Sequence, residues 1–177
     1  MGGADATGRL IAELAARALT VAVAESLTGG ALAAELTRPA GASAVVLGGV
    51  VVYATELKHT MIGVDARLLA EEGPVHPMVA EQLARGVRQR LAVGGRRADI
   101  GVATTGVAGP DPQGGREPGT VFIAVSTDAG TVVVAPGLHG DRAQIRAETV
   151  RLAVDAIAKA VAEPQTDARD TPRAPRE

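Results

Sequence analysis

The sequence has no cysteine and no tryptophan, and one tyrosine and one phenylalanine are its only aromatic residues. Without cysteine the chain cannot form a disulfide, a zinc site with thiolate ligands or an iron–sulfur cluster. Two aromatic side chains cannot supply the stacking platform that binders of single-stranded nucleic acid use. The formal net charge of −2 also argues against a general polyanion binder. We therefore expect no nucleic-acid partner.

Long apolar runs and lysines are also scarce. No apolar run reaches the roughly 18–20 residues of a membrane span, and the acid-containing N-terminus lacks the pattern of a signal peptide. A cytoplasmic protein without a membrane segment is expected. The three histidines (His59, His76 and His139) lack a metal-like spacing, so no metal or cofactor is expected. Of the 18 basic residues, 16 are arginine, which leaves Lys58 and Lys159 as the lysines.

What the chain does contain is small and apolar: 46% of its 177 residues are hydrophobic, and 35 are alanine. This length fits one domain with a sizeable core. Thr7, His76 and Asp141 are expected to be helix N-caps. Helical periodicity predicts helices over 7–18, 31–37, 55–62, 65–72, 77–91 and 141–161. Short apolar runs predict strands over 20–24, 43–53, 98–104, 120–127 and 131–135, the last two joined as a hairpin.

This order of elements predicts a single-domain, three-layer α/β/α sandwich with a mixed, partly parallel sheet. The domain is expected to cover residues 1–162. Residues 163–177 lack large apolar side chains, and we expect them to form a disordered tail.

Three glycine-bearing segments follow strands or precede the last helix. They are ESLTGG at 25–30, TTGVAGP at 104–110 and PGLHGDR at 136–142. Ligands of open α/β sheets bind at the carboxyl ends of strands, where glycines let the backbone approach a ligand closely. Each segment taken alone also fits a simple tight turn, since neither a P-loop nor a GxGxxG pattern is present. Three of them on one small domain favour a binding site.

Two side chains in these surroundings suggest catalysis. Ser26 sits where a strand hands over to a helix, so its hydroxyl and the N–H groups of Thr28, Gly29 and Gly30 are candidates for a nucleophile and its oxyanion donors. The alternative is a helix-capping serine. Lys58 follows Tyr53 by five residues at the end of a buried strand. A desolvated lysine loses its proton more easily and can act as a base, whereas a snorkelling surface lysine is the alternative.

Arg142 lies next to Asp141 at the start of the last helix. A guanidinium at that position can pair with a phosphate or carboxylate that the helix N-terminus also attracts. An exposed first-turn arginine without a ligand is the other interpretation.

Five motifs in the same order resemble the C-terminal domain of the CinA (competence/damage-inducible protein A) family. They are AESLTGG at 24–30, PAGASAVVLGGVVVYATELKHTMIGV at 39–64, ATTGVAGP at 103–110, PGTVFIAV at 118–125 and GLHGDRAQIR at 137–146. The resemblance covers about residues 8–162. Standing alone, this domain is known as nicotinamide-nucleotide amidase, or nicotinamide mononucleotide deamidase.

The resemblance implies hydrolysis of nicotinamide mononucleotide to nicotinic acid mononucleotide and ammonia, without a cofactor. It implies Ser26 as nucleophile and Lys58 as general base, with Tyr53 assisting. It further implies a substrate-binding set of eight residues, which the organisation of the chain also suggests in part. These are Thr28, Gly29, Gly30, Ser43, Thr105, Gly106, Gly109 and Arg142. A homo-oligomer is expected, as for many soluble enzymes.

Some positions depart from the usual family pattern. Leu27 replaces a frequent cysteine, Ala54 and Thr55 replace Ser-Asn, and His76 replaces a frequent serine. The change at Ala54 and Thr55 leaves open a second hypothesis, a catalytically inactive nucleotide-binding or interaction module. Hydrolysis of another amide or phosphorylated substrate on the same scaffold is a third.

Overall fold

The structure is a computed structural model that describes residues 5–162. In this part of the chain five strands and six α-helices alternate, and a 3₁₀ turn and a π-helical turn are added. The strands are β1 (Val21–Glu25), β2 (Val46–Val51), β3 (Ile100–Gly106), β4 (Val121–Thr127) and β5 (Gly130–Val134). The helices are α1 (Ala6–Ala16), α2 (Ala31–Thr37), α3 (Thr55–Leu57), α4 (Ala66–Glu72), α5 (Pro77–Arg90) and α6 (Arg142–Ala162). The 3₁₀ turn is Ala42–Ala44, and the π-helical turn Lys58–Ile62 continues α3.

The strands form one mixed sheet with the order β2-β1-β3-β4-β5. Strand β1 runs parallel to β2 and β3, whereas β4 and β5 are antiparallel additions. The carboxyl ends of β1, β2 and β3 therefore meet at one edge of the sheet, which we call the carboxyl edge. Ser26, Tyr53 and the segment after Gly106 follow these three ends, so the topology brings the catalytic candidates together.

Helices cover both faces of the sheet. Alternation along β1 divides its side chains between the two cores: Val21 and Val23 pack with α1, α2 and α6, and Ala22 and Ala24 pack with α5. Small residues make the α5 side close-packed. A Cβ added at Gly101 would lie 2.0 Å from the carbonyl oxygen of Ala84 on α5. This layering confirms the predicted α/β/α sandwich and shows how a core without aromatic bulk is filled.

Most of the local signals are confirmed. The β4–β5 hairpin forms, His76 Nδ1 accepts the N–H of Met78 at the start of α5, and Asp141 Oδ1 accepts the N–H of Gln144 at the start of α6. The expected N-cap at Thr7 is wrong. Asp5 caps α1 by accepting the N–H of Gly8 at 3.1 Å. Thr7 is instead buried within the helix.

Two further expectations meet the limits of the description. The predicted tail at 163–177 lies outside the described residues. Between residues 5 and 162, no helix has both the length and the apolar composition needed to cross a bilayer.

Candidate active site

Ser26 occupies the turn between β1 and α2, at the carboxyl edge. Its backbone N–H donates to the carbonyl of Thr104 on β3 at 3.0 Å, which ties the turn to the sheet. The preceding residue, Glu25, is 1% exposed and turns back toward α2. Its carboxylate accepts three N–H groups of the first helical turn, from Gly30, Leu32 and Ala33, at 3.0, 3.0 and 2.8 Å. These hydrogen bonds hold the turn in place and thereby fix the position of Ser26.

Lys58 begins the π-helical turn after α3 and is 1% exposed. Its Nζ lies 3.2 Å from Ser26 Oγ, 2.7 Å from the carbonyl oxygen of Val52 and 3.5 Å from that of Tyr53. All three partners are neutral oxygens, and no carboxylate in residues 5–162 pairs with this ammonium. Burial lowers the pKa of Lys58 from 10.5 to about 8, because the charged form is poorly solvated.

The three contacts of Lys58 match the three N–H bonds of an ammonium group, which donates to Ser26 Oγ and to the carbonyls of Val52 and Tyr53. A neutral amine has two N–H bonds and one lone pair. In that form the two carbonyls still accept the N–H bonds, and the lone pair is free to accept the hydroxyl hydrogen of Ser26. The geometry thus places an amine with a lowered pKa within hydrogen-bond distance of the Ser26 hydroxyl.

The Tyr53 hydroxyl does not contact Lys58. It accepts a hydrogen bond from Arg142 Nη2 at 3.1 Å, and Tyr53 reaches Lys58 only through its backbone carbonyl. The side chain is 58% exposed, at the mouth of the site. The Tyr53 hydroxyl is therefore not placed to assist Lys58 directly in this arrangement. Tyr53 is largely exposed after the end of β2, whereas Lys58 is buried.

A cavity of about 80 Å³ opens beside Ser26 and Lys58. The end of β3, with Thr105 and Gly106, and the segment after it, with Gly109, form one wall, as expected from the sequence. The loop before α5 forms another wall, where the carbonyl of Pro74 accepts the Thr105 hydroxyl at 2.7 Å. The sequence did not indicate this second wall, because the side chains of Pro74 and Val75, which line it, are apolar and do not suggest a site.

The expected oxyanion donors need correction. The N–H of Gly29 donates to the carbonyl of Ser26 at 3.0 Å, and that of Gly30 donates to Glu25. Both glycines have positive φ, +61° and +96°, so their role here is to form the turn. Thr28 is fully buried, with its hydroxyl 2.8 Å from that of Thr104, and does not line the cavity.

Other backbone donors face the site. Over residues 5–162, the N–H groups of Ala108 and Gly109 have no hydrogen-bond acceptor, and both residues line the cavity. They belong to the glycine segment that faces Ser26. This segment therefore offers the free N–H groups that the turn after Ser26 lacks at Gly29 and Gly30.

Ser43 is far from the cavity and does not line it. It lies exposed in the 3₁₀ turn that precedes β2. Because β2 and β1 are parallel, a residue before β2 lies at the opposite edge of the sheet from Ser26, which follows β1. The assignment of Ser43 to the substrate-binding set is wrong for this chain.

Arg142 spans the mouth of the cavity from the first turn of α6. Its Nη1 donates to the carbonyl of Gly109 at 2.8 Å, and its Nη2 donates to the Tyr53 hydroxyl. The guanidinium is exposed, so an anion at the mouth can reach it. For metals, the described part of the chain contains no cluster of three histidine, aspartate or glutamate side chains that could hold an ion.

The architecture and motifs match one known family. The sequence model of the CinA C-terminal domain matches residues 4–161. The chain belongs to this family. The CinA-like protein of Frankia casuarinae is 47% identical over 163 residues, which are 91% of this chain and 36% of that protein. The chain spans about a third of the length of the curated CinA relatives it matches.

Solved CinA structures share the fold. The CinA superfamily protein of Klebsiella pneumoniae has a TM-score of 0.83 at 31% identity, with 89% of this chain and 96% of that chain covered. The competence/damage inducible protein of Agrobacterium tumefaciens has a TM-score of 0.80 at 34% identity, with 91% and 98% covered. The mixed five-stranded sheet with helices on both faces is therefore the CinA fold.

Proposed function

We propose that this CinA domain is an amidohydrolase that converts nicotinamide mononucleotide to nicotinic acid mononucleotide and ammonia. The observation that carries the proposal is the buried Lys58 amine, 3.2 Å from Ser26 Oγ and paired with no carboxylate. A buried amine next to a hydroxyl is the arrangement that activates a serine nucleophile. The choice of substrate rests on the resemblance of the motifs.

The first step is attack of Ser26 Oγ on the carboxamide carbon, with transfer of the hydroxyl proton to Lys58 Nζ. The carbonyls of Val52 and Tyr53 hold the amine in place while it receives this proton. With a pKa of about 8, about one Lys58 in ten is neutral at pH 7. The required base form is thus accessible near neutral pH.

The oxyanion of the tetrahedral intermediate requires donors, and the free N–H groups of Ala108 and Gly109 are suitable candidates. Protonated Lys58 then returns its proton to the nitrogen of the leaving group, which departs as ammonia. Water attacks the resulting acyl-serine, with neutral Lys58 taking its proton. As the bond from the acyl carbon to Ser26 Oγ breaks, Lys58 returns this proton to Oγ, and the acid product gives its own proton to solvent and leaves as the carboxylate.

The size of the cavity limits how the substrate binds. Sites for whole drug-sized ligands usually enclose about 300–1,000 Å³, whereas the cavity here is about 80 Å³. It accepts the carboxamide end of the substrate, and the ribose phosphate stays at the mouth. Arg142 lies at that mouth, where its guanidinium can pair with the phosphate.

The test is ammonia release from nicotinamide mononucleotide by the wild type, Ser26→Ala and Lys58→Ala. We expect the wild type to turn over and both variants to lose at least about 10²-fold in kcat. The wild-type kcat/KM should rise about tenfold per pH unit up to pH 8 and then level off, because neutral Lys58 is the active form. An inert wild type, or variants with full activity, would refute the mechanism.

A second candidate is a nucleotide-binding module without catalysis. Thr55, one of the two residues that depart from the family pattern after Tyr53, lines the cavity. A pyridine nucleotide that raises the melting temperature without being consumed supports this alternative. Turnover of a different amide in a substrate panel, lost in Ser26→Ala, supports the third hypothesis.

A further inference from the structure

Arg146 lies one helical turn after Arg142 on α6 and reaches the turn that follows Ser26. Its Nε donates to the carbonyl of Leu27 at 3.0 Å, and its Nη2 donates to the carbonyl of Thr28 at 2.8 Å. The side chain is half-buried, and in residues 5–162 it forms no ion pair. One guanidinium therefore holds two consecutive carbonyls directly after the proposed nucleophile.

The same helix offers a contrast. Arg151 is exposed and pairs with Glu148 and Asp155 at 2.6 and 2.7 Å, as surface arginines of helices commonly do. Arg146 has no carboxylate partner and instead binds backbone. A half-buried charge whose partners in the described part of the chain are two carbonyls of one turn points to a role in that turn.

The geometry of the peptide group gives the consequence. In a trans peptide, the N–H points opposite to the carbonyl of the preceding residue. By holding the Leu27 carbonyl, Arg146 directs the N–H of Thr28 away from α6, and this N–H has no acceptor in the described chain. The peptide before it is also held, because the Ser26 carbonyl accepts the N–H of Gly29. Both peptides that follow Ser26 thus have fixed orientations.

We propose that Arg146 is a positioning residue that sets the peptides next to Ser26 for the transition state. Glu25 holds the N–H groups at the far end of the same turn, so opposite charges hold the turn from its two ends. The inference rests on the proposed function for its chemistry, since it assumes that Ser26 attacks an acyl carbon. It adds a residue to which the sequence pattern gave no role.

Two substitutions separate positioning from simple packing. Arg146→Met keeps the aliphatic stem and removes all donors. Arg146→Lys keeps the charge, but an ammonium cannot bridge two carbonyls as the planar guanidinium does. The matched control is Arg151→Met, which removes an arginine of the same helix that contacts only carboxylates.

The first measurement is kcat and KM for ammonia release, together with the melting temperature. We expect Arg146→Met to lower kcat between about 10-fold and 10²-fold, since small misplacements near reacting atoms have effects of this size. KM should change less than about threefold, Arg146→Lys should be intermediate, and Arg151→Met should match the wild type. If both Arg146 variants keep the wild-type kcat, the inference is overturned, whatever their melting temperatures.

The second measurement does not depend on the substrate. A fluorophosphonate probe reacts when Ser26 Oγ bonds to phosphorus, fluoride leaves and the hydroxyl proton passes to Lys58. Mass spectrometry follows the labelling rate, which should fall at least about tenfold in Arg146→Met. If the wild type is labelled but leaves nicotinamide mononucleotide intact, the substrate proposal fails, and the labelling rates alone decide on Arg146. If the wild type does neither, both proposals are overturned.

Discussion

Two buried cations lie at opposite edges of the central sheet, and they are held in different ways. Lys58, at the carboxyl edge, contacts a serine hydroxyl and two backbone carbonyls. Arg88, 5% exposed, lies at the other edge. It donates to the carbonyl of Ala98 at 3.0 Å and forms an ion pair with Asp128. Within residues 5–162, Arg88 has a counter-charge and Lys58 has none.

The difference fits a structural role for Arg88 and the proposed role of Lys58 as a base. Arginine keeps its proton at any pH that proteins tolerate, so a buried arginine stays charged and must have hydrogen-bond acceptors. Lysine can release its proton, and burial without a counter-ion favours that release. In residues 5–162, the cation without a carboxylate partner is the one next to Ser26, the proposed nucleophile. The chain uses arginine at 16 of its 18 basic positions, yet this position has a lysine, which can release its proton near neutral pH.

The largest expected effect comes from making the two cations alike. Lys58→Arg keeps the charge but removes the base, because a guanidinium does not deprotonate near neutral pH. We expect kcat for ammonia release to fall about 10³-fold or more. The matched control is Arg88→Lys, which should keep the wild-type kcat within about twofold. A Lys58→Arg variant that retains a tenth of the activity would contradict a role for Lys58 as base.

The contrast also shows which parts of the site could be predicted from the sequence. The period of the apolar residues and the hairpin turn gave the layers, because these signals are local. Desolvation of a lysine at the end of a buried strand predicted its reactivity, and the structure brings Lys58 next to Ser26. The error at Ser43 was avoidable, since a residue before a strand cannot lie beside one that follows its parallel neighbour.

Other contacts could not be read from the sequence. Arg146 reaches the Ser26 turn across 118 positions of sequence, and this contact depends on how α6 lies against the sheet. The resemblance implies that Tyr53 assists Lys58, yet the Tyr53 hydroxyl contacts Arg142 on the distant helix α6 and only the Tyr53 carbonyl reaches Lys58. Glu25 carries a weak local signal, an acid shortly before a glycine-led helix, as a capping carboxylate requires.

A second, smaller effect concerns stability. Burial lowers the pKa of Lys58 from 10.5 to about 8, so between these pH values the unfolded chain holds a proton that the folded chain has released. The unfavourable free energy of burying the charged Lys58 amine is fully present below pH 8 and disappears as the pH rises to 10.5. The wild-type free energy of unfolding should rise by up to about 3 kcal/mol across this window.

Lys58→Met removes this dependence. The free energy of unfolding of the variant minus that of the wild type should therefore be larger at pH 7 than at pH 10 by about 3 kcal/mol. Chemical denaturation of both proteins at the two pH values measures the difference, and titration of other groups cancels. A difference that stays constant with pH would mean that Lys58 titrates normally, and its contrast with Arg88 would be lost.

The third effect lies at the structural cation. Arg88→Met leaves the buried carbonyl of Ala98 without its donor, which should cost about 1–3 kcal/mol in the free energy of unfolding. Asp128 is 64% exposed and stays solvated without its partner. The cost should be the same at pH 7 and pH 10, and kcat should not change while the protein is folded. A loss of kcat at constant stability would contradict a structural role.

The smallest effect is expected when only the counter-ion of Arg88 is changed. Asp128 pairs with both Arg88 and Arg97 at the surface, and the Arg88 guanidinium holds the pKa of this carboxyl below its usual range. Asp128→Asn should cost about 1 kcal/mol or less at pH 7, because exposed ion pairs are weak. The cost should shrink as the pH falls below 3.8, where the unfolded carboxyl becomes neutral.

If Asp128→Asn instead costs as much as Arg88→Met at pH 7, the carboxylate and not the Ala98 carbonyl satisfies the buried arginine. The two cations would then differ mainly in counter-charge, as their contacts indicate. If the cost is small, backbone carbonyls solvate both cations, and the capacity of lysine to release its proton is what makes one of them reactive.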